Sequence, residues 1–110
     1  MKRDVSARVA TEIIKQLPQG TPTQEAVASA LNMSVRSLQR KLAEQGQTFR
    51  HLLAETRREL ALEYIRHDDI PVLEIGFRLG FTELANFSRA FKQWTGQSPL
   101  HYRQQQSYRQ

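Results

Sequence analysis

Two segments of the chain combine side chains that can recognise a nucleic-acid base with apolar residues at helical spacing. Arginine can bind the O6 and N7 atoms of guanine with two hydrogen bonds, and glutamine or asparagine can bind adenine N6 and N7 in the same way. These residue types predict recognition of base edges and no reaction. The segments match at positions 49 residues apart, and they are Val35-x-x-Leu38-Gln39-Arg40-x-Leu42 and Leu84-x-x-Phe87-Ser88-Arg89-x-Phe91.

The first segment has the larger set of base-reading side chains. If Val35, Leu38 and Leu42 face inward on a helix, the polar residues between them face outward. The alternative is an ordinary amphipathic surface helix, on which the same side chains would only be solvated. Phosphate contacts are expected from Lys41 and from Ser34, which can also cap the helix. Base contacts are expected from Arg36, Ser37, Gln39 and Arg40.

The second segment is less basic than the first. Asn86 can read adenine and Arg89 can read guanine, so both are predicted base contacts. Thr82 and Lys92 are predicted phosphate contacts. Glu83 would repel phosphates unless it accepts a hydrogen bond from a cytosine amine or caps its own helix, and we favour a helix cap or a solvated residue.

Further phosphate contacts are expected outside the two segments. The N–H groups at a helix N-terminus bind anions, and such termini are predicted near Thr48 and Ser98. Arg103 is a third candidate for a phosphate contact. The three histidines are far apart in sequence and the chain has no cysteine. We therefore expect no catalytic residue, no metal and no cofactor.

Apolar residues recur at helical spacing along almost the whole chain, and strand-like alternation is nearly absent. The sequence predicts an all-α fold of about seven helices in a single domain, residues 1–110. Arg57 on the long middle helix is expected to face solvent, and Leu84 is expected to face inward. The predicted elements are a first helix at about 4–17, a first helix-turn-helix at about 23–46, a linker helix at about 48–67, a second helix-turn-helix at about 71–96, a short turn at 100–102 and a frayed tail at 104–110.

Composition and charge limit the class of protein. The chain has 110 residues, of which 39% are hydrophobic and 25% are charged, and its formal net charge is +5. This composition is globular, and the positive excess would raise the concentration of a polyanion around the chain. No apolar run reaches the roughly 18 to 20 residues of a membrane span, and no secretory signal is visible. We therefore expect a cytoplasmic protein.

Two longer motifs extend the repeated segments. The first is Ala28-x-x-Leu31-Asn32-Met33-Ser34-x-Arg36-x-Leu38-Gln39-Arg40-x-Leu42. The second is Ile75-Gly76-x-x-Leu79-Gly80-Phe81-x-Glu83-x-x-x-Phe87-Ser88-Arg89-x-Phe91-Lys92-x-Trp94-x-Gly96-x-Ser98-Pro99-x-x-Tyr102-Arg103. With these motifs the chain resembles, from about Val5 to Arg103, the C-terminal DNA-binding domain of AraC/XylS-type transcription regulators.

The resemblance implies two homeodomain-like helix-turn-helix units joined by a linker helix, with recognition helices in successive major grooves of one DNA site. Leu84 and Ala85 can contact only a thymine methyl group there, and for Leu84 we favour the core position. Gly76 stands where family members often have Ala. Glycine at this position is expected to cost about 1 kcal/mol of helix stability relative to alanine. The base-reading positions carried over are Arg36, Gln39, Arg40, Leu84, Ala85, Asn86 and Arg89.

The resemblance also implies partners. The expected partners are double-stranded DNA and RNA polymerase. The resemblance implies a bacterial transcription regulator, and we favour an activator over a repressor. The isolated domain is expected to be a monomer. Larger members add an N-terminal domain for effector binding or dimerisation, so we expect this chain to be an excised C-terminal domain and not a small stand-alone member. Three alternatives stay open: a helical module that binds acidic proteins, a DNA-repair enzyme on the same fold, and an RNA-binding protein.

Overall fold

The computed structural model describes residues 4–108, and every regular element in that range is helical. The all-α prediction is therefore confirmed. A 3₁₀ turn, Leu17–Gln19, follows the first helix where Pro18 removes a backbone donor. The α-helices are α1 (Val5–Gln16), α2 (Gln24–Ala30), α3 (Val35–Glu44), α4 (Phe49–Tyr64), α5 (Val72–Arg78), α6 (Leu84–Thr95) and α7 (Pro99–Tyr108).

The chain divides into two compact units, Met1–Thr56 and Arg57–Gln110. In the first unit α1 packs against α2 and α3, and α2 packs against α3. The largest fully buried side chains described in this unit are aliphatic, so apolar periodicity alone is enough to build its interior. They are Val9, Ile13, Leu17, Val27, Leu38 and Leu42.

The helices of the first helix-turn-helix, α2 and α3, each begin at a hydroxyl cap. Thr23 Oγ1 accepts a hydrogen bond from the Ala26 N–H at 3.0 Å, and Ser34 Oγ accepts one from the Ser37 N–H at 3.0 Å. These bonds satisfy donors that have no partner within the helix. Glu83 has the corresponding place before α6 in the second helix-turn-helix, but its side chain makes no cap bond and is exposed. The cap interpretation of Glu83 is therefore wrong, and the exposed carboxylate agrees with the solvated interpretation.

The turns of the two helix-turn-helix motifs differ in length by one residue. Each contains one residue with left-handed backbone, Asn32 with a φ of 57° and Gly80 with a φ of 87°. These residues are 48 positions apart, whereas α3 and α6 match at 49. Asparagine and glycine are the residue types that adopt this conformation most readily. The repeat therefore extends to the turn, with one additional residue in the second copy.

The second unit has an aromatic interior. Phe87 and Phe91 are fully buried where the first unit has Leu38 and Leu42. The ring centroids of Phe87 and Phe91 are 5.8 Å apart, and that of Phe91 is 5.4 Å from that of Tyr102 on α7. Aromatic pairs at such distances stabilise a core beyond the burial of area alone. Tyr102 thereby anchors α7.

The prediction of a frayed tail from residue 104 is wrong as far as residue 108. The short turn expected at 100–102 is the start of the ten-residue helix α7. Ser98 Oγ accepts a hydrogen bond from the His101 N–H at 3.2 Å and so caps this helix. Packing of Tyr102 on Phe91 supplies the tertiary support that the polar tail sequence does not reveal. Residues 109 and 110 of the predicted tail lie outside the described residues.

The prediction that Arg57 faces solvent is also wrong, since the residue is only 9% exposed. Its Nε donates a hydrogen bond to the carbonyl oxygen of Leu79, the residue that ends α5, at 2.8 Å. Its guanidinium carbon lies 4.2 Å from the centroid of the Phe81 ring, a cation–π contact. Burial lowers the pKa of Arg57 from its ordinary value because desolvation disfavours the charged form. Arg57 therefore fixes the turn that follows α5.

Leu84 departs from its predicted inward position, because it is 44% exposed. It is the first residue of α6, one turn before the buried Phe87. The apolar spacing of Leu84, Phe87 and Phe91 is correct for one helix face, but the first turn of α6 extends past the part of that face that the core covers.

Gly76 on α5 lies against Phe87 on α6. A Cβ atom on Gly76 would lie 3.2 Å from both Cβ and Cδ2 of Phe87, which is closer than ordinary van der Waals contact. The corresponding pair in the first unit is Ala28 and Leu38. A smaller residue on one helix thus accompanies a larger residue on the other.

We expect Gly76→Ala to lower the free energy of unfolding by about 1 kcal/mol. Overpacking costs about 1–3 kcal/mol, whereas the gain in helix propensity is about 1 kcal/mol. Urea unfolding of the four proteins of a double-mutant cycle with Phe87→Leu measures the effect. In the Phe87→Leu background, Gly76→Ala should cost less, because leucine keeps Cβ but replaces the rigid ring with a branched side chain that can move away from the added methyl group. An equal effect of Gly76→Ala in both backgrounds would show that the close contact does not determine stability.

Candidate nucleic-acid interface

Helix α3 presents one polar face to solvent. Arg36 and Arg40 are exposed one turn apart, with the exposed Gln39 beside them. The buried Leu38 and Leu42 occupy the opposite face. The structure therefore places the main predicted base-reading residues of the first unit together on an accessible surface. Their contact with bases stays a prediction.

A cleft beside α3 brings Gln39 together with the start of α4. Gln39 Nε2 donates a hydrogen bond to Gln24 Oε1 at 2.9 Å. Thr48 Oγ1 accepts one from the His51 N–H at 3.1 Å and so caps α4. Arg50 is exposed in the first turn of α4. The sequence analysis missed Arg50, although its place two residues after a predicted cap was a usable signal. The residues lining the cleft are Gln24, Gln39, Ala43, Gln47, Thr48, Phe49 and Arg50.

Helix α6 carries the corresponding surface of the second unit. Ala85, Arg89 and Lys92 are exposed at intervals of four and three residues and so share one face. Arg89 Nη1 donates a hydrogen bond to Asn86 Oδ1 at 3.0 Å, and Asn86 Nδ2 donates one to Glu83 Oε1 at 3.4 Å. Both polar atoms of the Asn86 amide thus bond neighbouring side chains, which orients Arg89 and leaves the amide one further N–H and one lone pair. Contact of Asn86 with adenine stays a prediction.

Three hydroxyl groups predicted to hold phosphates act as helix caps, namely those of Ser34, Thr48 and Ser98. In a cap the oxygen accepts a hydrogen bond, so the hydroxyl hydrogen can still be donated to a phosphate. The structure thus supplies a positioned donor at each of these helix starts. The other predicted contact residues are partly or fully exposed, and they are Ser37, Lys41, Thr82 and Lys92.

Arg103 is held against the C-terminal end of α4. Its side chain is only 13% exposed. Its Nε donates a hydrogen bond to the Ile65 carbonyl oxygen at 3.1 Å, and its Nη2 donates one to the His67 carbonyl oxygen at 2.9 Å. Both carbonyls lie just beyond the end of α4, where helix carbonyls have no partner within the helix. The guanidinium of Arg103 therefore caps α4, and its contact with a phosphate stays a prediction.

The described range, residues 4–108, contains neither a candidate metal site nor a candidate membrane span. No group of three or more histidine, aspartate or glutamate side chains is arranged to hold a metal ion there. None of the helices in this range combines the length and apolarity that crossing a bilayer requires.

Comparison with known proteins identifies the family to which the chain belongs. A family model described as a helix-turn-helix domain matches residues 27–105. The C-terminal domain of AraT, a response regulator from Geobacillus stearothermophilus, has 36% sequence identity and a TM-score of 0.79, and the match covers 94% of this chain and 86% of that one. The chain belongs to the AraC-type helix-turn-helix family. The resemblance inferred from the sequence motifs is confirmed, and this family consists of DNA-binding transcription regulators, not enzymes.

Other AraC-type and related proteins agree with this assignment. A DNA-binding transcriptional dual regulator from Escherichia coli K-12 has a TM-score of 0.90 at 25% identity, with 98% of this chain and 96% of that chain covered. The ornithine utilization regulator of Pseudomonas aeruginosa is 38% identical over 104 residues, which is 92% of this chain and 31% of the relative. The urease operon transcriptional activator of Escherichia coli is 35% identical over 95 residues, 86% of this chain and 32% of the relative. The chain thus spans about a third of the length of these curated relatives.

Proposed function

We propose that this AraC-type domain binds a specific double-stranded DNA site by placing α3 and α6 in successive major grooves. The observation that carries the proposal is the recurrence of one exposed helix surface in the two helix-turn-helix motifs. Arg36 and Arg40 on α3 correspond to Ala85 and Arg89 on α6, and all four are exposed. A helix with polar residues on its outer face and a second helix behind it is the arrangement that enters the major groove. Because the two surfaces differ in sequence, the site would be asymmetric.

In the first unit, Arg36 and Arg40 would bind guanines and Gln39 would bind adenine. The fork of an arginine matches the two acceptors on the guanine edge. Gln39 would have to give up its bond to Gln24, so its contribution to affinity is expected to be smaller than that of either arginine. Ser37 lies on the same helix and is half-buried, which leaves it within reach of a base or a sugar at the edge of the interface.

Phosphate contacts would flank these base contacts. The start of α4 offers free helix N–H groups together with the exposed Thr48 and Arg50, which line the cleft that also contains Gln39. A helix N-terminus with an adjacent arginine is suited to an anion. A phosphate there would fix α3 in the groove. The remaining proposed phosphate contacts are Ser34, Lys41, Thr82, Lys92, Ser98 and Arg103.

We also propose a role for the whole protein that contains this domain. It would act in the bacterial cytoplasm, where the chromosome lies, as a transcription activator that contacts RNA polymerase. The support is the name of one relative, the urease operon transcriptional activator. The isolated domain is proposed to be a monomer, since two unlike units can cover an asymmetric site without a second copy.

Selection from a randomised duplex pool tests the proposed function. The chain is incubated with the pool at two salt concentrations, and the retained duplexes are sequenced. We expect an asymmetric motif with two half-sites about 10 bp apart. Retention that depends strongly on salt but enriches no motif would contradict the proposal, because phosphate contacts alone give that result. A motif with one half-site would show that the second unit does not read bases.

We expect Asn86→Ala to relax discrimination at the guanine bound by Arg89, and not at an adenine. The reason is that Asn86 Oδ1 holds the Arg89 guanidinium, so its loss frees the arginine to adopt other rotamers. Competition binding with duplexes changed at each position of the second half-site measures the effect, expected to be about three- to tenfold at one base pair. Arg89→Ala provides the matched reference. If the two variants lose discrimination at different base pairs, Asn86 contacts a base itself.

A further inference from the structure

Helix α6 begins with two exposed apolar side chains. Leu84 is its first residue and is 44% exposed, and the next residue, Ala85, is also exposed. Phe87 and Phe91 are fully buried and supply the apolar face that α6 turns to the core. Leu84 lies on the same helix face as Phe87 and Phe91 but one turn before the part that the core covers. At the start of α6, Leu84 and Ala85 together therefore offer an apolar surface to whatever contacts that helix end.

The first unit has a different residue type at the matching place. Ala85 corresponds to Arg36, so α6 presents a methyl group where α3 presents a guanidinium. The first residues of a recognition helix are the ones that contact base edges in the major groove. The thymine C5-methyl is the apolar group that bases present there, so apolar side chains can distinguish thymine but no other base.

We propose that the second unit recognises thymine methyl groups through Leu84 and Ala85, beside a guanine bound by Arg89. This inference rests on the proposed function, and it adds the base composition of the second half-site. Contact between these side chains and a methyl group removes apolar surface of both partners from water. The first half-site would instead depend on the guanines bound by Arg36 and Arg40.

Glu83 supports this orientation of α6. Its exposed carboxylate lies directly before Leu84 and disfavours a phosphate beside Leu84 and Ala85, so the phosphate contact proposed for Thr82 has to lie on the other side of Glu83. Lys92 lies two turns further along the face of Ala85 and Arg89, and it is exposed. The positive charge of Lys92 can thus reach the phosphate backbone of the DNA from further along α6. The start of α6 suits the uncharged base edges of the major groove.

Replacement of thymine by deoxyuridine tests the inference, because it removes only the C5-methyl group. Each thymine of the selected duplex is replaced in turn and the affinity of the full chain is measured. In the second half-site we expect a loss of about fourfold for each methyl contact. Leu84→Ala should reduce the sensitivity at one thymine, and Ala85→Gly, which removes the Cβ atom, should abolish it at another. Leu73→Ala is the matched control, since Leu73 is 47% exposed on α5 and its loss should leave every uracil effect unchanged.

The outcomes separate this inference from the proposed function. An asymmetric two-part motif whose second half tolerates uracil at every thymine would overturn the inference and leave the proposed function intact. Uracil effects that persist unchanged in both the Leu84 and the Ala85 variants would also overturn it. The absence of any motif would remove the proposed function, and the inference with it. Circular dichroism of each variant verifies that the helices are retained.

Discussion

Replacing Arg40 by Ala is expected to weaken binding to the selected DNA site by about 5- to 150-fold and to abolish discrimination at one base pair of the first half-site. Arg40 is exposed on the face of α3 opposite the buried Leu38 and Leu42, one turn after Arg36. A bidentate arginine–guanine contact contributes about 1–3 kcal/mol of discrimination against the wrong base. Equilibrium titration with the selected duplex and with each single-base variant of it measures both effects.

Two controls distinguish a base contact from a charge effect. Arg40→Lys keeps the charge but not the fork, so it should recover affinity at low salt without recovering discrimination. Lys15→Ala removes one positive charge from α1, where the side chain is exposed, and should change neither. If Arg40→Ala lowers affinity equally for all duplexes and reduces the slope of log affinity against log salt by about 1, Arg40 binds a phosphate.

Much of the fold could be predicted from the sequence because the information is local. Apolar spacing places Leu38 and Leu42 on one face of α3 and therefore leaves Arg36 and Arg40 on the other. Caps such as Ser34 have a recognisable residue type immediately before the apolar pattern. The exposed faces of α3 and α6 follow from these two signals, and the 49-residue repeat gives their correspondence.

Positions that depend on distant parts of the chain could not be predicted. Arg57 and Arg103 look like solvated arginines in sequence, but each donates to a carbonyl at the end of a helix, with Leu79 and Ile65 as acceptors. No local pattern states that a helix C-terminus lacks a capping partner and that a long side chain elsewhere supplies it. Leu84 shows the converse error, because periodicity gives the direction of a side chain without giving the extent of the core.

We expect Arg57→Met to lower the free energy of unfolding of the second unit by about 2–3 kcal/mol. Methionine keeps an unbranched apolar stem but removes the donor to the Leu79 carbonyl oxygen and the cation over the Phe81 ring. A hydrogen bond to a charged group contributes about 1.5–3 kcal/mol, and a buried cation–π contact about 1–2 kcal/mol. The desolvation of the arginine, which methionine avoids, offsets part of this sum. Arg57→Lys should recover less than half, because an ammonium lacks the planar fork that spans both contacts.

Hydrogen exchange of backbone amides measures this effect separately in each unit. For Arg57→Met we expect amide protection in α5 and α6 to fall by about 30- to 150-fold, while protection in α1 to α3 stays unchanged. Arg66→Met is the matched control, since Arg66 is exposed just after the end of α4. Arg57→Met should also weaken base discrimination more in the second half-site than in the first, because Arg57 fixes the turn that precedes α6. Equal protection in Arg57→Met and Arg66→Met would show that the buried guanidinium contributes nothing to holding that turn.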